Sequence, residues 1–220
     1  MKVKPARIEE GRTKYIVEHN GKDLTFIHPS FGPNTYAVVG QEIEIAKLKR
    51  PSMSQVVSLV NTAFNSDDKY SKEIQRILKE NFLWAFTGQL YIPKEGVYFQ
   101  DDPKIRNEMP FMNKSDLETK LEKSDPSVRF TPFGFKTGEM TPSELAKNTF
   151  VIAQAGEEGA DKLAEVAGKF KDNPFLLSFE SVDEEVTRVS SLDSGWGSVL
   201  RLYVVGIRGN GRGGFALGYA

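Results

Sequence analysis

Residues 209–214 read Gly-Asn-Gly-Arg-Gly-Gly and follow the apolar run Val199–Ile207, a G-x-G-x-x-G after a predicted strand. In a dinucleotide-binding turn this spacing lets the backbone approach a pyrophosphate, which the amides and dipole of a following helix then hold. Here only residues 215–220 follow, too few for the helix, second strand and later acidic residue of that fingerprint. The motif therefore implies no cofactor, and no other cofactor is expected. What remains is Arg208-Gly-Asn-Gly-Arg-Gly-Gly214, two arginines on an amide-rich backbone. Guanidinium forks and free amides bind phosphate or carboxylate, and arginine–glycine segments also contact RNA. The plain alternative is a hairpin loop in which glycine supplies positive φ and arginine keeps the loop soluble. Trp196, between Gly195 and Gly197, is the aromatic best placed to be exposed beside this loop; its competing role is to plug one end of a sheet. The expected ligand-binding residues are Trp196, Arg208, Asn210 and Arg212.

Other chemistries are less well supported. The two histidines, His19 and His28, flank an Asn20-Gly21 turn. In that register His19 faces Lys22 and His28 faces Thr13, so the imidazoles lie roughly 20 Å apart at the rise of a strand and cannot share one metal. Carboxylates cluster at Asp101-Asp102 and Asp183-Glu184-Glu185. Such pairs run acid–base chemistry when burial splits their pKa values, but both read as solvated turns. There is no G-x-S-x-G elbow, and residues 132–138 lack the Gly-Lys-Ser/Thr of a P-loop. The chain has no cysteine, which excludes thiolate nucleophiles, thiolate metal sites and disulfides. Catalytic and metal-ligating residues are therefore expected to be none.

These residues must be positioned by a fold, and the pattern of the 220 residues predicts α+β. Alternating segments on either side of Asn20-Gly21 predict a hairpin that pairs Val17 with Leu24 and Tyr15 with Phe26. Helices are expected over 34–48, over a segment opened by the capping box Ser52…Gln55, and over about 71–81. The aromatic-rich stretch 82–100 reads as two or three strands. A short helix over 115–123, an extended segment over 127–135, a helix opened by Thr141-Pro-Ser-Glu144 and an amphipathic helix over 157–170 follow. The last 45 residues read as strands over 175–179, 186–192, 200–207 and 214–219, with residues 193–197 as a turn and 208–213 as a hairpin loop. The expected architecture is an N-terminal hairpin and helices packed beside an antiparallel β-rich C-terminal half. A single domain over 1–220 is expected, with a subdivision at 82/83 as the alternative.

Charge is balanced, at a formal net −1, which gives no global attraction to nucleic acid or anionic membranes. Basic residues gather locally at Lys2, Lys4, Arg7, Arg12 and Lys14, and again at Lys47, Lys49 and Arg50. The N-terminus has no apolar signal segment and no run approaches 18 apolar residues, so a soluble cytoplasmic protein without a membrane partner is expected.

The run from Trp196 through Val205-Gly206, the glycine-rich loop, and Gly214-Phe-Ala-Leu-Gly-Tyr219 resembles the last two strands of C-type-lectin-like domains over about 25 residues. That resemblance implies a ligand- or partner-binding surface on the terminal loops and no reaction. Segments Lys49-Arg-Pro-Ser52, Phe86-Thr-Gly-Gln-Leu-Tyr91 and Phe133-Gly-Phe-Lys-Thr-Gly138 resemble an uncharacterised archaeal or viral protein family, a likeness that brings no activity with it. The leading expectation is a non-enzymatic protein that binds an anionic ligand or a protein through its C-terminal loops. Nucleic-acid binding and a carboxylate-dependent hydrolase are the alternatives.

Overall fold

The structure, a computed structural model, describes residues 7–9, 12–196 and 199–220. Strands β1 (Arg7–Glu9), β2 (Arg12–His19) and β3 (Lys22–His28) form a small antiparallel sheet. Asn20 and Gly21 turn it with φ of 50° and 70°, the paired positive values of a type I′ turn. The register is the expected one: Val17 pairs with Leu24, Tyr15 with Phe26, His19 with Lys22 and Thr13 with His28.

After β4 (Phe31–Asn34) come three helices: α1 (Tyr36–Ile45), α2 (Met53–Phe64) and α3 (Lys69–Glu80). Each starts on a side chain that satisfies orphan amides. Thr35 caps α1, Ser52 and Gln55 form the capping box of α2, and Asp68 accepts from the Tyr70 and Ser71 amides at α3. Strand β5 (Phe82–Ile92) then runs through the centre of the molecule. It is followed by β6 (Gly96–Asp101), the small hairpin of β7 (Ile105–Arg106) and β8 (Met109–Pro110), α4 (Lys114–Glu122), β9 (Val128–Pro132) and β10 (Gly138–Glu139). Helices α5 (Pro142–Ala146), α6 (Thr149–Ala155) and α7 (Glu157–Ala167) precede the last strands, β11 (Phe175–Leu177), β12 (Val186–Trp196), β13 (Val199–Ile207) and β14 (Gly214–Ala216).

The fold is α+β. Its large sheet has the order β10-β11-β13-β12-β5-β14-β4, and β6 joins the far part of β5 and carries β9. Most neighbours are antiparallel; β11–β13 and β14–β5 are parallel. One face packs on α2, α3, α6 and α7 through a core that includes Val57, Leu59, Ile77, Phe99, Phe150, Leu163 and Val204. On the other face α1 closes a second cluster over Trp84, Phe86 and Val189.

Two expectations about the C-terminal segment are corrected. Residues 193–196 are not a turn but the end of β12, with Asp193 and Ser194 buried. Nor is 208–213 a hairpin loop, because β13 and β14 are not neighbours. The segment crosses over β12 and β5 and delivers β14 to the far edge of β5, between β5 and β4. Its glycines serve close approach rather than positive φ. A Cβ on Gly214 would fall inside the Trp84 indole, and one on Gly209 would lie 3.0 Å from the Tyr36 Cβ.

Candidate anion-binding cleft

The crossover is held down at both ends: the Tyr36 amide, at the start of α1, donates to the Gly209 carbonyl at 3.0 Å, and the Phe82 amide donates to the Gly213 carbonyl at 3.3 Å. The Gly209 amide in turn donates to Met109 Sδ at 3.4 Å, so the loop is tied to the β7–β8 hairpin as well. That hairpin turns tightly at Asn107 and Glu108, with φ of 49° and 65°. Between the hairpin, β12 and the crossover lies a cleft of about 310 Å³ lined by Asn107, Glu108, Met109, Thr187, Arg188, Arg208 and Asn210.

Arg188 and Arg208 meet there because of the β12–β13 register. Trp196 pairs with Val199, but an irregularity between Asp193 and Gly195 shifts the ladder, so that Val189 stands opposite Ile207. One residue further along, Arg188 stands opposite Arg208. Like charges placed directly across a ladder repel. The Arg188 guanidinium is held below its usual pKa, first by burial and then by the Arg208 charge. Arg188 donates to the Thr187 carbonyl at 2.8 Å and lies over the Phe179 ring. Among the described residues no carboxylate forms an ion pair with Arg188 or Arg208, and Glu108, in the same cleft, pairs with neither.

Of the expected site residues, Arg208 and Asn210 are thus brought together, both exposed. Arg212 is exposed but does not line the cleft. The backbone of Trp196 ends β12; its side chain lies outside the described residues, as do Lys2 and Lys4. Arg188, Glu108 and Met109 were not singled out from the sequence. Arg188 reads there as an ordinary strand charge, and only the shifted register sets it beside Arg208.

The carboxylate and histidine candidates sit elsewhere. Asp101 is half-buried and saturated: Arg129 pairs with it, and the Thr87 hydroxyl donates to it at 2.6 Å. Arg129 also donates to the Ala153 and Gln154 carbonyls at the end of α6. Asp102 accepts from Arg50 at 2.6 Å. Asp183, Glu184 and Glu185 are exposed. No two of these carboxylates form a pair poised for acid–base work. His28 lies 3.0 Å from Glu73. His19 Nδ1 is 3.0 Å from the buried Ser58 hydroxyl, to which Lys162 Nζ donates, also at 3.0 Å. Burial, and then the Lys162 charge, lowers the His19 pKa, and Glu158 opposes this. A second cleft, of about 380 Å³, opens beside this junction and is lined by His19, Asp101, Arg129 and Glu158 among others. Among the described residues no group of three or more histidine or carboxylate side chains is arranged to hold a metal ion, and no helix is long and apolar enough to cross a membrane.

No family model, no curated protein and no solved structure matches this chain.

Proposed function

We propose that the chain binds a small anionic ligand, a phosphate or carboxylate compound, in the cleft between the β7–β8 hairpin, β12 and the crossover. One observation carries this reading: Arg188 and Arg208 face each other across the ladder, and among the described residues no carboxylate forms an ion pair with either. A bound anion would turn that repulsion into two charge-assisted contacts, and planar guanidinium forks suit phosphate and carboxylate geometry. Asn210 adds a side-chain amide at the rim. The volume lies at the small end of the range for ligand pockets, which favours a small molecule over a peptide. A nucleic-acid strand fits less well. It needs a continuous basic track, whereas Glu108 lies within the cleft and Arg212 lies off it. The hydrolase reading has no carboxylate pair to rest on.

The test is calorimetric titration of ethyl phosphate and acetate into the wild-type chain and into Arg208→Gln and Arg188→Gln. A charged hydrogen bond is worth roughly 1.5–3 kcal/mol, so each variant should weaken binding by about tenfold or more. Unchanged affinity in both variants, or no binding of either anion to the wild type, would sink the proposal.

A further inference from the structure

The cleft has two poles. Arg188 stands on β12 and Arg208 at the start of the crossover; Glu108 stands on the hairpin, at the tip of a tight two-residue turn. The three side chains share a volume of about 310 Å³, yet among the described residues the carboxylate pairs with neither guanidinium. Opposite charges on exposed, flexible side chains close into ion pairs where their backbones permit it. Here two different elements, each fixed by its own turn or ladder, hold them apart. Between the poles lie Met109, which offers an apolar contact, and Thr187, Asn107 and Asn210, which offer polar ones.

Resting on the anion-binding reading above, we infer that the ligand is a phosphate monoester that also carries an amino group, with the phosphate at Arg188 and Arg208 and the ammonium at Glu108. Charge matching selects the monoester. Two guanidinium groups and one carboxylate leave the site with a single net positive charge. An aminoalkyl phosphate, dianionic at the phosphate and cationic at the amine, cancels it. An amino acid, with no net charge, leaves it uncancelled, and a phosphate diester brings only one negative charge to two arginines. The second ionisation of a phosphate monoester lies near pH 6, so binding should weaken as the pH falls from 7.5 to 5.5 and the dianion is lost.

The experiment compares O-phosphoethanolamine, ethyl phosphate and β-alanine by calorimetry at pH 7.5, on the wild type and on Glu108→Gln, Arg208→Gln and Arg188→Gln. Glu108 is exposed, and glutamine keeps its shape, so Glu108→Gln should retain the wild-type melting temperature. O-Phosphoethanolamine should bind the wild type at least tenfold more tightly than either other compound. Glu108→Gln should weaken O-phosphoethanolamine and abolish its advantage over ethyl phosphate, which should itself bind somewhat more tightly once a negative charge has left the cleft, and the arginine variants should weaken both phosphates. If ethyl phosphate binds through the arginines but the amine adds nothing, or if Glu108→Gln leaves the preference intact, the ligand assignment falls and the anion site stands. If β-alanine binds as tightly as O-phosphoethanolamine, the monoester assignment falls. If no compound binds, or the arginine variants bind as the wild type does, both readings fall together.

Discussion

Two clefts of similar size make opposite use of their charges. In the one beside α2 and α7, of about 380 Å³, nearly every polar group is spent within the protein. Arg129 holds Asp101 and two helix-end carbonyls, Thr87 bridges Asp101 to the Met53 amide, and Ser58 joins His19 to Lys162. In the one beneath the crossover, of about 310 Å³, Arg188, Arg208 and Glu108 form no ion pair among the described residues. The richer set of chemical groups is therefore spent on the structure, while the poorer set leaves its charges outside ion pairs. A list of catalytic-looking residues would rank the two the other way. What distinguishes a site is the interactions its groups leave open.

This contrast can be broken experimentally. The largest effect is expected from Arg129→Ala, which strands a half-buried Asp101 and frees the end of α6. Because the pair retains some solvent contact, the loss should be about 3 kcal/mol, the lower end for a broken buried pair, read as a lower urea midpoint with unchanged m-value; ethyl phosphate affinity, corrected for the folded fraction, should not move. Gly214→Ala comes next. It forces a methyl group into Trp84 and should cost about 2 kcal/mol by overpacking, measured by thermal unfolding. Because the displaced β14 anchors the crossover, anion binding should weaken too, and a neutral outcome would mean that Trp84 moves aside readily.

Smaller still in stability is Arg208→Gln, which should stay within about 0.5 kcal/mol of the wild type, as exposed substitutions do, while weakening anion binding by about tenfold or more. If it unfolds the protein instead, Arg208 is structural and the contrast between the clefts collapses.

The smallest effect concerns pH. Burial beside Lys162 lowers the His19 pKa, so the fold favours the neutral imidazole. Its contribution to stability is full above the unfolded value of about 6.5 and is lost as the pH falls through the lower folded value. Wild type should therefore lose more stability than His19→Gln between pH 7.5 and 5, read from urea midpoints at each pH. Parallel curves would contradict this.

The parts of the fold that sequence made legible are those written in short-range rules. Asn20-Gly21 fixed a hairpin to the residue pair, and Ser52…Gln55 and Thr141…Glu144 marked helix starts that the structure caps as expected. Helix α6 escaped because residues 149–155 are short and almost wholly apolar, with no polar face to show a period. The crossover escaped because adjacency in sequence suggests a hairpin, whereas the empty edge of β5 that accepts β14 is set by long-range packing. Arg208 and Asn210 were visible as an arginine and an amide in a glycine-rich loop. Arg188, Met109 and Glu108 were not, since a strand charge, a thioether and a turn carboxylate gain meaning only from what stands opposite them.

The irregularity sets the two steps from Asp193 to Gly195 on β12 against three steps from Tyr203 to Leu200 on β13, about six residues from Arg188 and roughly 20 Å along the strand. Counted outward from the Trp196–Val199 pair without it, Arg188 would stand opposite Ile207, and Arg208 opposite Thr187. The site is thus spelled in a reading frame, and the bulge is the frameshift that sets it. Removing the extra residue from β13 there would leave all seven lining residues in the sequence and still erase the arginine pair. Any search for this cleft in other proteins must therefore compare strand registers rather than lists of residues.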